Sequence, residues 1–174
     1  MSDATDLGAT TDIASFNQLD AQDARARLMA CLGIPRWADT VLDGRPYAAL
    51  PALLAAAEEA ASHLTDDELA AALAGHPRIG ERATDPLHHA EFSANEQAGV
   101  DRSDAEVAAA LAAGNADYEE HFDRVFLIRA AGRTAPEILA ELRRRLANDE
   151  DAERAETITQ LREIALLRLR EVAR

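Results

Sequence analysis

The residues best suited to chemistry in this chain are a histidine, a carboxylate and an amide that lie close together in sequence. His76 is followed by Pro77, and Glu96 and Gln97 come a short way downstream. Histidine has the side chain whose unperturbed pKa lies nearest neutrality, and a neighbouring carboxylate can orient its ring and support its charged form. The pattern suits general acid–base catalysis, although an isolated histidine is more often structural or exposed.

Local sequence places His76 at the exit of a helix rather than on a helix face. Thr65 and Glu68 have the spacing of a capping box, which predicts a helix that ends shortly before Gly75. Gly75 predicts a left-handed C-cap, and Pro77 directs His76 toward an extended backbone. We therefore expect His76 on a stiff connection between elements.

A second capping pattern begins at Ser93. With Glu96 three residues later, it predicts a helix whose first turn also carries Gln97. On this pattern alone, Ser93 and Glu96 simply cap the helix. The N–H groups of its first turn could also bind a carboxylate or another oxyanion, and the two roles are compatible.

The last predicted helix, over about residues 151–172, carries an arginine among apolar residues. At about 100° per residue, Arg168 falls between Ile164 and Ala165 in projection. A guanidinium on such a core-facing stripe requires a carboxylate partner or an anionic ligand, unless its side chain reaches out to solvent. The sequence leaves these possibilities open.

Helices account for the other secondary structure that the sequence predicts. Capping patterns, proline starts and apolar stripes predict helices that begin near Asp20, Pro35, Leu50, Ser103 and Thr134. The helix after Ser103 is expected to reach Gly114. No segment alternates polar and apolar residues over a useful length, so no strand is predicted.

An aromatic stretch follows Gly114. Tyr118, Phe122 and Phe126 recur at four-residue spacing, so on a helix they would share one face. The apolar run at residues 125–128 fits either a buried helix or a strand. Its helical surroundings favour a helix that ends at Gly132.

Composition supports an all-α fold. The chain has 174 residues, of which 48% are hydrophobic and only 4% aromatic, with Gly 8 and Pro 6. These counts suit closely packed helices and argue against an all-β domain with many turns. We expect a disordered arm at residues 1–12 and a single-domain helical bundle of about seven or eight helices at residues 13–174.

Charge and cysteine content exclude several classes of partner. A net charge of −14 repels nucleic acid and anionic membranes. A single cysteine fits a reducing cytoplasm, and no apolar run approaches the roughly 20 residues of a membrane span. The ends carry neither a signal-peptide pattern nor a peroxisomal address. No HExxH, paired Glu-x-x-His or Cys/His set is present, so no metal site is expected.

These segments together resemble the 2-oxo-4-hydroxy-4-carboxy-5-ureidoimidazoline (OHCU) decarboxylase family over about residues 16–172. The most specific part is His-Pro-x-Ile-Gly at residues 76–80 followed by Ser-x-x-Glu-Gln at residues 93–97. The resemblance is also carried by Arg36-Trp37-Ala38, Arg45-Pro46-Tyr47, Tyr118-x3-Phe122-x3-Phe126 and Ala131-Gly132-Arg133, and by Ile138-Leu139-x2-Leu142-x2-Arg145-Leu146-x-Asn148 and Ile164-Ala165-x2-Arg168-Leu169.

The resemblance implies an all-α homodimer that decarboxylates OHCU to (S)-allantoin in urate degradation without a cofactor. It implies that His76 and Glu96 are catalytic and that Arg168 binds the substrate. The other substrate-binding residues that it implies are Pro77, Ser93, Ala94, Asn95, Gln97, Phe126, Leu127, Ile128, Arg129 and Ala130, with Glu96 contributing to binding as well. Arg129 stands where a small or apolar residue is expected, so we expect its side chain to turn outward.

Two alternatives remain at this point. One is a non-catalytic helical module that binds a partner helix in an alanine-rich groove; it predicts that His76, Glu96 and Arg168 do not converge. The other is a decarboxylase that acts on a related ureido or imidazoline acid.

Overall fold

The structure, a computed structural model, describes residues 10–80 and 104–173. Within these residues the chain forms eight α-helices and no β-strand, which confirms the all-α fold class. The helices are α1 (Thr10–Gln18), α2 (Ala21–Leu32), α3 (Pro35–Asp43), α4 (Leu50–Ala60), α5 (Asp66–Ala74), α6 (Ala105–Phe122), α7 (Ala135–Arg145) and α8 (Glu150–Val172). None of them is both long and apolar enough to span a membrane.

The described helices fall into two compact units. The first unit contains α1 to α4 and the part of α8 from Ile164 onward, and the second contains α5, α6, α7 and the part of α8 up to Glu163. Each unit has its own buried residues, so each is described by itself.

Local capping chemistry sets most of the helix starts, as predicted. The Asp20 side chain accepts a hydrogen bond from the Asp23 N–H at the start of α2, and Pro35 opens α3. Complete capping boxes begin α5 at Thr65 and α7 at Thr134. These contacts involve residues only three positions apart, which is why sequence alone identifies them.

Two predicted boundaries at helix starts are corrected. Helix α1 begins at Thr10, so the last three residues of the predicted disordered arm at 1–12 are helical; residues 1–9 lie outside the described part of the chain. Asp104 caps α6 by accepting from the N–H groups of Glu106 and Val107. Ser103 itself is not among the described residues.

Helix α6 continues through Gly114 instead of ending near it. A Cβ atom at Gly114 would meet the Leu142 side chain of α7 at 2.6 Å, and Leu142 is fully buried. The glycine therefore allows two helices to approach closely and does not terminate one.

The stretch after α6 is not helical, which corrects the prediction for residues 125–128. Asp123 adopts a left-handed conformation with φ 51°, and its N–H closes the helix on the Glu119 carbonyl oxygen at 2.9 Å. Aspartate tolerates this conformation better than most residues. The chain then runs irregularly to the cap of α7 at Thr134.

In the first unit, Trp37 joins α3 to α4. Its side chain is fully buried, and its indole Nε1–H donates to the Ala57 carbonyl oxygen at 2.9 Å. The preceding Arg36 donates to the His63 carbonyl oxygen at 3.0 Å, just beyond the end of α4. These two residues of the 36–38 motif therefore hold the helix pair together.

The loop between α3 and α4 is tied to α1. Arg45 Nη1 donates to the carbonyl oxygens of Phe16 and Leu19 at 3.1 Å and 2.9 Å. The backbone of Tyr47 exchanges hydrogen bonds of 2.8 Å and 2.9 Å with the Asn17 side chain. The bonds from Arg45 reach carbonyl oxygens at and just beyond the end of α1, where helix geometry leaves carbonyl groups in need of donor partners outside the regular ladder.

The second unit is built around one apolar cluster. Its aromatic part is compact, because the Tyr118 ring lies 4.7 Å from the Phe122 ring and 5.2 Å from the Phe126 ring, measured between centroids. The three rings share one cluster even though Phe126 lies outside the helix. The buried members are Ile79, Leu111, Tyr118, Phe122, Phe126, Ile128, Ala130, Ala135, Ile138, Leu139 and Leu142.

Candidate active site

His76 lies directly after α5, as predicted, but the exit differs from the expected one. Gly75 has φ −85° and ψ −2°, which is right-handed, so the predicted left-handed cap is wrong. The chain instead tightens, and the His76 N–H donates to the Leu73 carbonyl oxygen at 2.9 Å. This turn carries the half-buried imidazole back toward the last turn of α5.

The contact of the imidazole with α5 assigns its tautomer. His76 Nδ1 lies 2.8 Å from the Ala72 carbonyl oxygen. A carbonyl oxygen only accepts hydrogen bonds, so Nδ1 must carry the proton. In the neutral ring the lone pair is therefore on Nε2, which is the atom able to take up a proton.

Helix α6 supports the segment after His76. Arg78 donates to Glu119 through Nε and Nη2 at 2.5 Å and 2.7 Å, which is a bidentate ion pair. Asn115 Nδ2 donates to the Ile79 carbonyl oxygen at 3.1 Å. The Ile79 side chain is buried in the apolar cluster, so residues 78 and 79 are fixed by both polar and apolar contacts.

The ion pair with Arg78 also sets the charge of Glu119. Hydrogen bonds from the guanidinium hold the pKa of the Glu119 carboxyl below its ordinary value, against a smaller opposing effect of burial. The carboxylate therefore remains charged at neutral pH, and the pair keeps its charge-assisted geometry.

The segment at residues 126–130, which the resemblance places along the substrate pocket, is mostly buried. The exposed fractions of Phe126, Leu127, Ile128 and Ala130 are between 2% and 5%. Arg129 is the partly exposed member.

Arg129 makes two contacts with α8. Its Nε lies 3.2 Å from a carboxylate oxygen of Glu163, and about a third of its side chain is exposed. Its backbone N–H donates to the Gln160 side-chain oxygen at 2.8 Å. The side chain thus lies against an ion-pair partner, and the N–H already has an acceptor.

A buried polar network, which sequence reasoning missed, holds this segment in place. Arg145 and Glu153 are 1% and 0% exposed and share an ion pair. Arg145 Nη1 donates to the Leu127 carbonyl oxygen at 2.7 Å, and its guanidinium lies 4.7 Å from the Phe126 ring centroid. The Tyr118 hydroxyl donates to Glu153 as well. Because buried irregular backbone needs hydrogen-bond partners from outside the segment, Arg145 supplies one for the Leu127 carbonyl oxygen.

A sequence signal for Arg145 did exist. Arg145 follows Ile138 and Leu142 at seven and three residues, on the apolar stripe of α7. The same reasoning that singled out Arg168 would have identified Arg145. Its partner Glu153 is found only from the structure, since nothing in the sequence states which carboxylate faces it.

Arg168 is buried in the first unit, as its position on the stripe predicts. Its exposed fraction is 5%, and Ile164, Ala165 and Leu169 around it on α8 are 3% exposed or less. This burial excludes the interpretation in which the side chain reaches out to solvent.

Comparison with known proteins decides the family. Residues 17–170 match the OHCU decarboxylase family. The chain belongs to the OHCU decarboxylase family. It is therefore a decarboxylase, that is a carboxy-lyase, of urate degradation.

Solved structures show the same fold. A crystal structure of OHCU decarboxylase in the presence of (S)-allantoin aligns with TM-score 0.70 and 22% identity, over 84% of this chain and 96% of that chain. A crystal structure of (S)-allantoin synthase aligns with TM-score 0.68 and 15% identity, over 91% of this chain and 53% of that chain. Comparison with curated protein sequences finds no match.

The residues that the family resemblance implies are distributed unevenly. His76, Pro77 and the 126–130 segment belong to the second unit, where Ile79 joins Phe126 in one apolar cluster. Arg168 belongs to the first unit. Ser93, Ala94, Asn95, Glu96 and Gln97 lie outside the described residues. Within the described residues, no three His, Cys, Asp or Glu side chains are grouped so that they could hold a metal ion.

Proposed function

We propose that this member of the OHCU decarboxylase family converts OHCU to (S)-allantoin and CO2 without a cofactor, with His76 as the proton-transfer residue. The observation that carries the proposal is the hydrogen bond from His76 Nδ1 to the Ala72 carbonyl oxygen. It leaves Nε2 as the basic atom of a half-buried imidazole in the segment that is most specific to the family resemblance.

The chemistry of the substrate explains why no cofactor is needed. Its carboxylate is attached to a ring carbon that also bears a hydroxyl, next to a ring C=N bond. When the bond to the carboxylate breaks, its electron pair forms a carbon–carbon double bond and the C=N nitrogen takes up the displaced pair. CO2 leaves, and the substrate itself serves as the electron sink.

Three proton movements complete the reaction. The ring nitrogen that took up the displaced electron pair gains a proton, the hydroxyl loses its proton as the new carbonyl group forms, and the neighbouring ring carbon receives a proton on one face. Decarboxylation of the carboxylate form takes up one proton overall. We assign the transfers to His76 Nε2 with the support of Glu96, and general acid–base help of this kind is worth roughly 10²–10⁴-fold in rate.

The remaining proposed residues bind and orient. Arg168 and Gln97, with backbone N–H groups, hold the carboxylate and the ring and ureido carbonyls. Pro77 and the segment at residues 126–130 line the pocket. Burial supports this role for Arg168, because a guanidinium out of bulk water attracts a carboxylate more strongly.

The proposal also covers the oligomeric state and the cellular location. We propose a homodimer in the cytoplasm that binds neither nucleic acid nor membranes, in line with a net charge of −14. Light scattering after size-exclusion chromatography tests the dimer, and a monomeric mass for the active protein would contradict it.

The catalytic proposal is tested by stereochemistry. The substrate is generated from urate with the two preceding enzymes, and circular dichroism follows the appearance of optically active allantoin. Because the substrate also decays spontaneously to racemic allantoin, the expected result is faster formation with an excess of the S form. A purified protein that neither accelerates the reaction nor enriches the S form would overturn the proposal.

Two histidine variants locate the chemistry. His76→Ala should lower the enzymatic rate by about 10²-fold or more while the helical signal is retained. His121→Ala is the matched control, since His121 is an exposed histidine near the end of α6 in the same unit, and it should keep full activity. Full activity of His76→Ala would remove the catalytic role from this residue.

A panel of related acids tests the substrate. The same assay with other ureido and imidazoline carboxylic acids should give the highest kcat/KM for OHCU. A higher value for another acid would favour the alternative that this chain decarboxylates a related compound.

A further inference from the structure

Two side chains on one face of α6 hold the segment that follows His76. Asn115 and Glu119 are four residues apart, so they lie on neighbouring turns of the same face. Asn115 donates to the Ile79 carbonyl oxygen, and Glu119 accepts both hydrogen bonds of the Arg78 guanidinium. Together they fix two consecutive residues that begin two positions after His76.

This segment depends on outside support because it belongs to no helix. Pro77 has no N–H to donate, and the segment lies beyond the last hydrogen bonds of α5. The bond from His76 Nδ1 to Ala72 fixes the tautomer and the tilt of the ring. The path of the backbone away from His76 is set separately, by the contacts that α6 makes with Arg78 and Ile79.

We propose that Asn115 and Glu119 are positioning residues for His76 in the decarboxylation. This inference rests on the proposed function, since the position of His76 affects the rate only if His76 transfers protons. Both residues act through the backbone of the 76–80 segment rather than by touching the substrate.

The exposure of the Arg78–Glu119 pair distinguishes a positioning role from a purely stabilising one. The side chains of Arg78 and Glu119 are 47% and 25% exposed, and partly exposed ion pairs contribute little to folding stability. In contrast, a displacement of about 1 Å of a catalytic group can lower the rate by about 10²-fold. A positioning role therefore predicts a loss of rate that is much larger than the loss of stability explains.

The test uses Glu119→Gln and Asn115→Ala in the full-length protein. We expect kcat to fall by about 10- to 100-fold, while KM stays within about twofold because the substrate contacts remain. Thermal unfolding shows in each case that the variant is folded at the assay temperature. The charge-swapped variant Arg78→Glu/Glu119→Arg restores an ion pair at the same place and should recover most of the lost kcat.

Asp39→Asn is the matched control. Asp39 forms a bidentate pair with Arg25 that joins α2 to α3 in the first unit, and both side chains are partly exposed, 42% for Arg25 and 51% for Asp39. It should leave kcat unchanged. If Asp39→Asn lowers kcat as much as Glu119→Gln does, the effect is general and the positioning role is wrong.

The outcomes of these experiments distinguish a failure of the positioning role from a failure of the proposed function. An active wild-type protein whose Glu119→Gln and Asn115→Ala variants keep full kcat would overturn the positioning role and leave the function intact. An inactive wild-type protein would overturn both. If Asn115→Ala does not fold, Glu119→Gln decides, because its partly exposed side chain can be replaced without opening the core.

Discussion

Two of the arginine–glutamate pairs in the second unit have the same chemistry and differ in burial. Arg145 and Glu153 are 1% and 0% exposed, whereas Arg78 and Glu119 are 47% and 25% exposed. Both pairs support an irregular segment of the candidate site. The first supports residues 126–130 through the Leu127 carbonyl, and the second supports the chain that follows His76.

The difference shows how the same chemistry can serve stability in one place and geometry in another. A buried pair holds charges that have lost their water, so removing one partner leaves an uncompensated charge in the core. A partly exposed pair remains hydrated, and its loss costs little folding free energy. We therefore expect substitutions in the buried pair to lower mainly stability, and substitutions in the partly exposed pair to lower mainly activity.

The largest expected effect is on the stability of the buried pair. Glu153→Ala leaves the Arg145 guanidinium buried without its carboxylate and should lower the free energy of unfolding by about 3–5 kcal/mol. Urea denaturation at neutral pH measures the loss. Glu141→Ala is the control, because Glu141 pairs with the exposed Arg144 and is itself 33% exposed.

The control should cost at most about 1 kcal/mol. Equal losses for Glu153→Ala and Glu141→Ala would show that burial does not distinguish the pairs. A further variant sharpens the point: Arg145→Met/Glu153→Leu removes both charges at once and should be more stable than Glu153→Ala alone.

An intermediate effect on stability is expected at Tyr118, whose hydroxyl donates a hydrogen bond to the Glu153 carboxylate. Burial, and then the hydrogen bond to Glu153, raise the pKa of Tyr118 above its ordinary value of 10.0. The unfolded chain therefore releases this proton at a lower pH than the folded chain does. The stability that results is complete below about pH 10 and is lost as the pH rises through the raised pKa.

Tyr118→Phe should remove this pH dependence. The variant loses a hydrogen bond to a charged group, so at neutral pH it should be less stable by about 1.5–3 kcal/mol. Between about pH 9 and pH 11 its stability should decline less steeply than that of the wild type. Parallel declines over this range would mean that Tyr118 does not contribute to the linkage.

The smallest effect on stability is expected at Glu119, and it should shrink at acid pH. Its pKa is lowered mainly by the Arg78 hydrogen bonds, so its contribution is present above the ordinary value of 4.5 and is lost as the pH falls through the lowered pKa. Glu119→Gln should therefore cost at most about 1 kcal/mol at pH 7. The difference from the wild type should shrink as the pH falls below 4.5, and a difference that grows in acid would contradict the assignment.

Sequence reasoning succeeded where the decisive contacts are local. The capping boxes at Thr65 and Thr134 and the start at Pro35 depend on residues a few positions apart, and all three are present. The burial of Arg168 also followed from the periodicity of one helix.

Sequence reasoning failed where the decisive contact comes from another part of the chain. Gly114 suggested a helix end, but its missing side chain accommodates Leu142 of α7. The four-residue spacing of Tyr118 and Phe126 suggested one continuous helix, yet the rings meet because the chain turns at Asp123 and folds back. The support that Asn115 and Glu119 give to the 76–80 segment could not be predicted for the same reason, since the partners are 36 and 41 residues apart.

The burial of Trp37 has a spectroscopic consequence. It is the only tryptophan in the chain, and it lies fully buried in the first unit with its indole bonded to Ala57. Its fluorescence therefore reports the unfolding of α3 and α4, whereas circular dichroism averages over all the helices. Recorded together on Glu153→Ala, the two signals would separate if the weakened second unit unfolds first, and they would coincide if the whole chain unfolds in one step.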